Sequence, residues 1–166
     1  MPITIKAEPL TREAFATFGD LIDQSGEEPI IINNGTTQRF HRLATTETAG
    51  EDAQAIINIF KGQPFVPPVN ITMFERHPLG SQAFVPLSGQ PFLVVVADNG
   101  EQDTPEEFRV FLAQPNQGVN YARNVWHHPL ISLEEECDFL VVDREGAGTN
   151  LEEYFLPQEH QFSAVI

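Results

Sequence analysis

Alternation of apolar and polar residues with a period of two runs through most of the chain. Gly, Pro and Asn interrupt it at short intervals, so it predicts many short strands. Residues 1–9 read as an extended first strand. Thr11 is suited to cap a short helix reaching about Phe18, Gly19 ends it, and Asp20–Asp23 reads as a short strand. Ile30-Ile31-Ile32, Asn33-Asn34-Gly35 and Gln38–Leu43 predict an antiparallel hairpin turning at Asn34-Gly35, with Arg39 and His41 on one face. Residues 44–52 form a polar connection, Ala53–Lys61 a strand, and Gly62–Pro68 a breaker-rich loop. From Ile71 the spacing predicts a strand with Ile71, Met73, Glu75 and His77 on one face. A Pro-Gly corner follows, then a strand opening at Gln82, and then Phe92–Ala97, apolar enough to be buried on both sides. Residues 98–107 read as an acidic loop with one helical turn at Pro105–Glu107. Phe108–Leu112, 131–136 and Asp138–Asp143 read as strands, 144–153 as a loop and Tyr154–Ile166 as an irregular or short-strand tail. The pattern predicts an all-β fold with one or two short helices, in a single domain over residues 1–166.

Composition sharpens this picture. Thirteen Phe can fill a core, and thirteen Pro with eleven Gly favour short strands over long helices. The formal net charge is −15, with 24 acidic against nine basic residues, so phosphate backbones and anionic membranes are repelled. Neither nucleic acid nor membrane is expected as a partner, and no apolar run approaches the roughly 18 residues of a span. The opening MPITIKAEPL lacks the basic and apolar regions of a secretory signal. Cys137 is the only cysteine, which excludes an internal disulfide and points to the cytoplasm. Arg39, Arg42, Arg76 and Arg123 fall in polar, aromatic-flanked stretches. In so acidic a chain they suggest a small anionic ligand, with ordinary ion pairing as the competing explanation.

Two segments carry candidate chemistry. In the first, Glu75 and His77 project side by side from one strand face, a pairing suited to metal or proton chemistry. The second is QGVNYARNVWHHPL, residues 117–130, where Val119, Tyr121 and Arg123 share one face if extended. His127 and His128 are adjacent and should point oppositely, so at most one reaches an interior. Cys137 has no histidine near it in sequence and reads as structural, and Trp126 as core or interface.

The arrangement Glu75-x-His77-x4-Gln82-x6-Gly89 resembles the first cupin motif, with Glu and Gln at two of its three ligand positions. Gly118-x2-Tyr121 stands where the second motif has Gly-x2-His. The wording is more specific still: TREAFATFGD, INNG, RFH, ERHPLGSQAFVP, GVNYARNVWHHPL and FLVVDR closely resemble the ureidoglycolate lyases. That resemblance implies a cupin-like double-sheet β-barrel of jelly-roll type. It also implies cleavage of ureidoglycolate to glyoxylate and urea in allantoin breakdown, a homodimer, and nickel or another divalent metal as cofactor.

Elimination from such a substrate needs a base for the hydroxyl proton, an acid for the departing nitrogen, and a cation with donors for the carboxylate and oxyanion. Glu75 is the expected base, with His77 sharing that role or binding metal, and His128 or His127 as acid. Arg123 is expected on the carboxylate, because a guanidinium grips it bidentately. Tyr121, Asn124 and Gln82 are expected on the urea or oxyanion, with Asn34 and Arg39 as further candidates. Glu75, His77 and His127 form the candidate metal set. The rival readings are a metal-dependent cupin oxygenase or isomerase, and a non-catalytic module that binds a small acid.

Overall fold

The computed structural model describes residues 3–166, and two sheets packed face to face dominate it. A five-stranded sheet runs in the order Gly19–Ile22, Gly118–Tyr121, Gln82–Pro86, Cys137–Glu145, Gln54–Gly62. Facing it, a larger sheet runs Glu152–Phe155, Met73–Arg76, Trp126–His127, Phe92–Asn99, Pro105–Ala113, Glu8–Pro9, with Ile131–Leu133 and Pro64–Phe65 attached. Phe84, Val119, Phe139 and Val141 from the first sheet meet Phe92, Val94, Val96 and Phe111 from the second to form the barrel core. The architecture is the expected all-β, cupin-like double-sheet barrel.

Phe92–Asn99 lacks alternation because both its faces are covered. Phe92, Val94 and Val96 face the barrel core, while Leu93, Val95 and Ala97 pack against a second cluster with Ile71, Phe74 and Phe162. A third sheet, of Ile3–Lys6, Phe162–Val165 and Val69–Ile71, caps that outer face. The tail is therefore an ordered part of the sheet system, with Phe162–Val165 parallel to Ile3–Lys6 and Glu152–Phe155 pairing Met73–Arg76.

Other local expectations change for physical reasons. The helix is only Arg12–Phe15, capped as expected by Thr11 Oγ1, which accepts from the Ala14 amide at 3.2 Å. Pro105–Glu107 starts a strand rather than a helical turn, since Pro105 and Glu106 pair with Asn99 and Asp98. The hairpin turns on Asn33 and Asn34, both left-handed at φ 53° and 55°, a conformation Asn tolerates. Its second strand ends at Arg39, and Arg42 is left-handed, so Arg39 and His41 do not share a strand face. The strand expected from Ile71 onward breaks at Thr72. Ile71 and Phe74 both enter the outer cluster, and only Met73–Arg76 carries Glu75.

Asp23 ties the helix to the barrel end. It accepts from Arg12 at 3.1 Å, from the Ser25 amide and hydroxyl at 2.9 and 2.6 Å, and from Gln117 at 3.1 Å. Burial pushes its pKa up, but the Ser25 and Gln117 hydrogen bonds and the Arg12 charge prevail and hold it below the usual carboxylate range. A depressed folded-state pKa gives stability that is present above the unfolded value, about 3.9, and is lost as pH falls through the folded value. Asp23→Asn should therefore lower unfolding free energy by about 1–2 kcal/mol at pH 7 in urea titrations. The gap from the parent protein should close as pH drops below about 4.

Candidate active site

Strand register brings the two sequence clusters together. His127 lies directly opposite Glu75 across the antiparallel pair Trp126–His127 and Met73–Arg76, and Gln82 lies opposite Tyr121 in the facing sheet. Trp126 belongs to the outer cluster, so alternation turns His127 into the barrel. His127 Nε2 is 3.5 Å from Glu75 Oε1, and His77 Nε2 is 3.8 Å from the same oxygen. The three side chains offer ligand atoms that all lie within 4.8 Å of one another. Tyr121 stacks flat on His127, with centroids 4.1 Å apart and planes at 9°, and holds that ring in place.

Hydrogen bonds decide which face each imidazole presents. His77 Nδ1 is 2.8 Å from the Asn150 carbonyl and His127 Nδ1 is 2.9 Å from the Val125 carbonyl. A carbonyl only accepts, so both Nδ1 atoms carry the proton and both Nε2 atoms point bare toward Glu75. The buried His127 Nε2 has no hydrogen-bond partner. Gln82 adds a fourth donor atom. Its Nε2 faces Asp143 Oδ2 at 3.3 Å, which fixes the amide and aims Oε1 at His77 Nε2, 3.0 Å away. Asp143 is in turn held by Asn58 at 3.0 Å. Two lone-pair acceptors facing each other call for a cation between them. Burial, with the neighbouring His127, holds the His77 pKa below normal, which disfavours a proton there. Two imidazoles, a carboxylate and an amide oxygen suit a first-row divalent metal, so the donor set fits one.

Burial pushes Glu75 up, yet His127 foremost, with His77 and His128, outweighs it, and the carboxyl is held below its ordinary pKa. Burial and the Glu75 charge raise Tyr121, which stays a neutral phenol. Glu75 and Gln82 line an open cavity of about 420 Å³ with Phe60, Lys61, Phe84 and Leu130.

A family model described as ureidoglycolate lyase matches residues 2–163. The chain belongs to the ureidoglycolate lyase family. A protein named ureidoglycolate lyase from Brucella anthropi is 60% identical over 152 residues, 92% of this chain and 89% of that protein. One of the same name from Pseudomonas aeruginosa is 54% identical over 158 residues, 95% and 94% of the two chains. Among solved structures, a dTDP sugar isomerase from Desulfovibrio desulfuricans aligns with TM-score 0.47 and 14% identity, over 86% of this chain and 84% of that one.

In this ureidoglycolate lyase family chain the structure brings Glu75, His77, Gln82, Tyr121 and His127 next to one another. His128 also borders the interior, against Phe84, Tyr121 and Leu130, because the strand ends at His127 and alternation stops there. Its Nδ1 faces the Pro129 carbonyl at 2.8 Å, and burial lowers its pKa. Arg123 is corrected: it is exposed and donates twice to the Pro78 carbonyl, at 3.1 and 3.0 Å, outside the cavity that holds Glu75. Asn124 is corrected likewise. It is a left-handed turn residue whose amide donates to the His77 carbonyl, and its neighbours are Phe18 and Asp98. Asn34 and Arg39 lie on the exposed hairpin and line none of this cavity. Arg76 is an ion-pair residue, bidentate to Asp103 at 2.7 Å and stacked 4.3 Å from Trp126.

The sequence pattern does not mark Asn58, Lys61, Asp143 or Asn150 as site residues. Each acts through a partner far along the chain, and no local spacing signals it. Calorimetry with Ni²⁺ should show one binding event that His127→Ala abolishes. Asp143→Asn, which frees the Gln82 amide to flip, should weaken it by about 10–100-fold.

Proposed function

We propose that this chain cleaves ureidoglycolate to glyoxylate and urea, with Glu75 moving the proton. Family membership carries the substrate. The observation that carries the mechanism is that Glu75 is the only carboxylate lining the cavity among the described residues, while three imidazoles around it direct their N–H groups away.

The substrate bears a hydroxyl, a carboxylate and a ureido nitrogen on one carbon. Glu75, ionised at neutral pH, accepts the hydroxyl proton as the C=O bond forms and the C–N bond breaks. No imidazole N–H faces the reacting atoms, so the same carboxyl returns the proton to the departing urea nitrogen. The proton count balances: one anion becomes glyoxylate plus neutral urea, and no water or net proton is consumed. Tyr121 stays protonated and packs the His127 ring, and Phe60, Phe84 and Leu130 limit water around the reacting carbon.

Glu75, His77, His127 and Gln82 would hold the divalent metal, and nickel is the ion the family resemblance favours. When bound, it would supply Lewis-acid polarisation of the substrate oxygens. We further propose a homodimer acting on this small anion in allantoin degradation, within a reducing cytoplasm that suits the buried, unpaired Cys137. No helix among the described residues is long and apolar enough to cross a membrane.

The purified protein should release equimolar glyoxylate and urea from ureidoglycolate faster than spontaneous decay, without ammonia. Glu75→Gln should keep the fold and lower kcat by about 10²–10⁴. An active Glu75→Gln protein would remove Glu75 from the reaction.

A further inference from the structure

Most of the nine basic residues are engaged. Arg12, Lys61, Arg76 and Arg109 sit in ion pairs, and Arg123 and Arg144 donate to backbone carbonyls. Lys6, Arg39 and Arg42 have no such partner among the described residues, and the two arginines lie on or just beyond one exposed hairpin. This hairpin arm, Ile30–Ile32 and Thr37–Arg39, is a two-stranded sheet that pairs with no other strand. Such a ribbon is marginal alone in water. This one also exposes Ile30 and Ile31, and a cavity of about 480 Å³ separates its base from Arg12, Gly26 and Glu27.

A surface that fits the arm lies at the far edge of the five-stranded sheet. Gln54–Gly62 is its outermost strand, bonded only to Cys137–Glu145, so its other edge has free backbone groups. Ile57 and Ile59 are 72% and 58% exposed, and with Val142 and Leu140 opposite them they form an apolar stripe. Phe60, Lys61 and Gly62, at the end of the same strand, border the catalytic cavity. Charge agrees as well. Residues 30–43 hold two arginines and a histidine without a single acid, whereas Glu136 and Asp138 of the neighbouring strand lie beside the end of Gln54–Gly62. Among the described residues Lys61 is the only cation lining the cavity, and it is already held by those two carboxylates at 3.0 and 2.9 Å. The site thus lacks an unengaged cation for the substrate carboxylate.

We infer that the hairpin arm of a second copy of this chain lies along the free edge of Gln54–Gly62 and brings Arg39 to the substrate carboxylate. The exchange is reciprocal about a two-fold axis, each arm completing the other copy's site. The guanidinium grips the carboxylate bidentately, which a point charge such as Lys61 does less well. This inference rests on the lyase reading for its substrate, but not for its geometry.

Two experiments decide it. In sedimentation the protein should be a dimer, and Ile57→Asp with Ile59→Asp, both on exposed positions, should give a monomer with an unchanged far-UV spectrum. A monomeric parent, or a dimeric double variant, would overturn the docking even if the substrate were misassigned. For the site, Arg39→Met should raise KM about tenfold or more with kcat less affected. Glu75→Gln and Arg39→Met chains, co-expressed with different tags and purified through both, should form mixed dimers with one intact site in two. They should show about half the parent activity at low substrate. A mixed dimer no more active than the Arg39→Met homodimer, or an Arg39→Met protein of unchanged KM, overturns the role of the arm. Absence of ureidoglycolate cleavage by the unaltered protein would sink the lyase reading alone.

Discussion

The antiparallel pairing that sets Glu75 against His127 is the contact on which the site depends. It joins two strands more than forty positions apart in the chain and turns one imidazole Nε2, bare and buried, onto a carboxylate. Unpaired, each of these groups is costly in a low-dielectric interior. Together, with His77 and Gln82 at the same point, they form a pocket whose lone pairs favour a cation. The neighbouring imidazoles hold Glu75 ionised, and burial holds His77 neutral. The same geometry therefore supplies both a ready base and a ligand set.

Outer contacts keep that arrangement rigid. The Asn150 backbone carbonyl accepts a hydrogen bond from His77 Nδ1, and its side-chain oxygen accepts one from the Leu79 amide at 2.8 Å, pinning the corner after the strand. The Asn58–Asp143–Gln82 relay fixes an amide that would otherwise turn either way. Stacking of Tyr121 on His127 explains why an aromatic ring stands where metal-binding cupins place a histidine. It supports a ligand from the side, since burial keeps its hydroxyl protonated.

The acidic character of the chain has a structural counterpart. Among 24 carboxylates, six of the nine cations find a partner within their own fold among the described residues, and two of the remaining three, Arg39 and Arg42, cluster at the hairpin. An apolar, basic ribbon that pairs with no other strand among the described residues and an apolar edge strand bordering the Glu75 cavity are complementary in charge and hydrophobicity.

The alternation and its breakers determined the all-β class, the Thr11 cap, the Asn-Gly hairpin and the doubly buried strand, because these follow from side-chain direction and local backbone preference. The Glu75-x-His77 spacing marked both groups as candidates for one site, although the strand ends at Arg76 and the Asn150 carbonyl sets the His77 ring. Only the tertiary structure decided that both His127 and His128 border the interior, because the strand stops between them and the period no longer applies. It alone removed Arg123 and Asn124 from the site, where turns redirect them to backbone groups. It alone added Asp143, Asn58 and Asn150. Their roles arise from strands brought together across 61 to 85 positions of sequence, a distance over which no local pattern carries information.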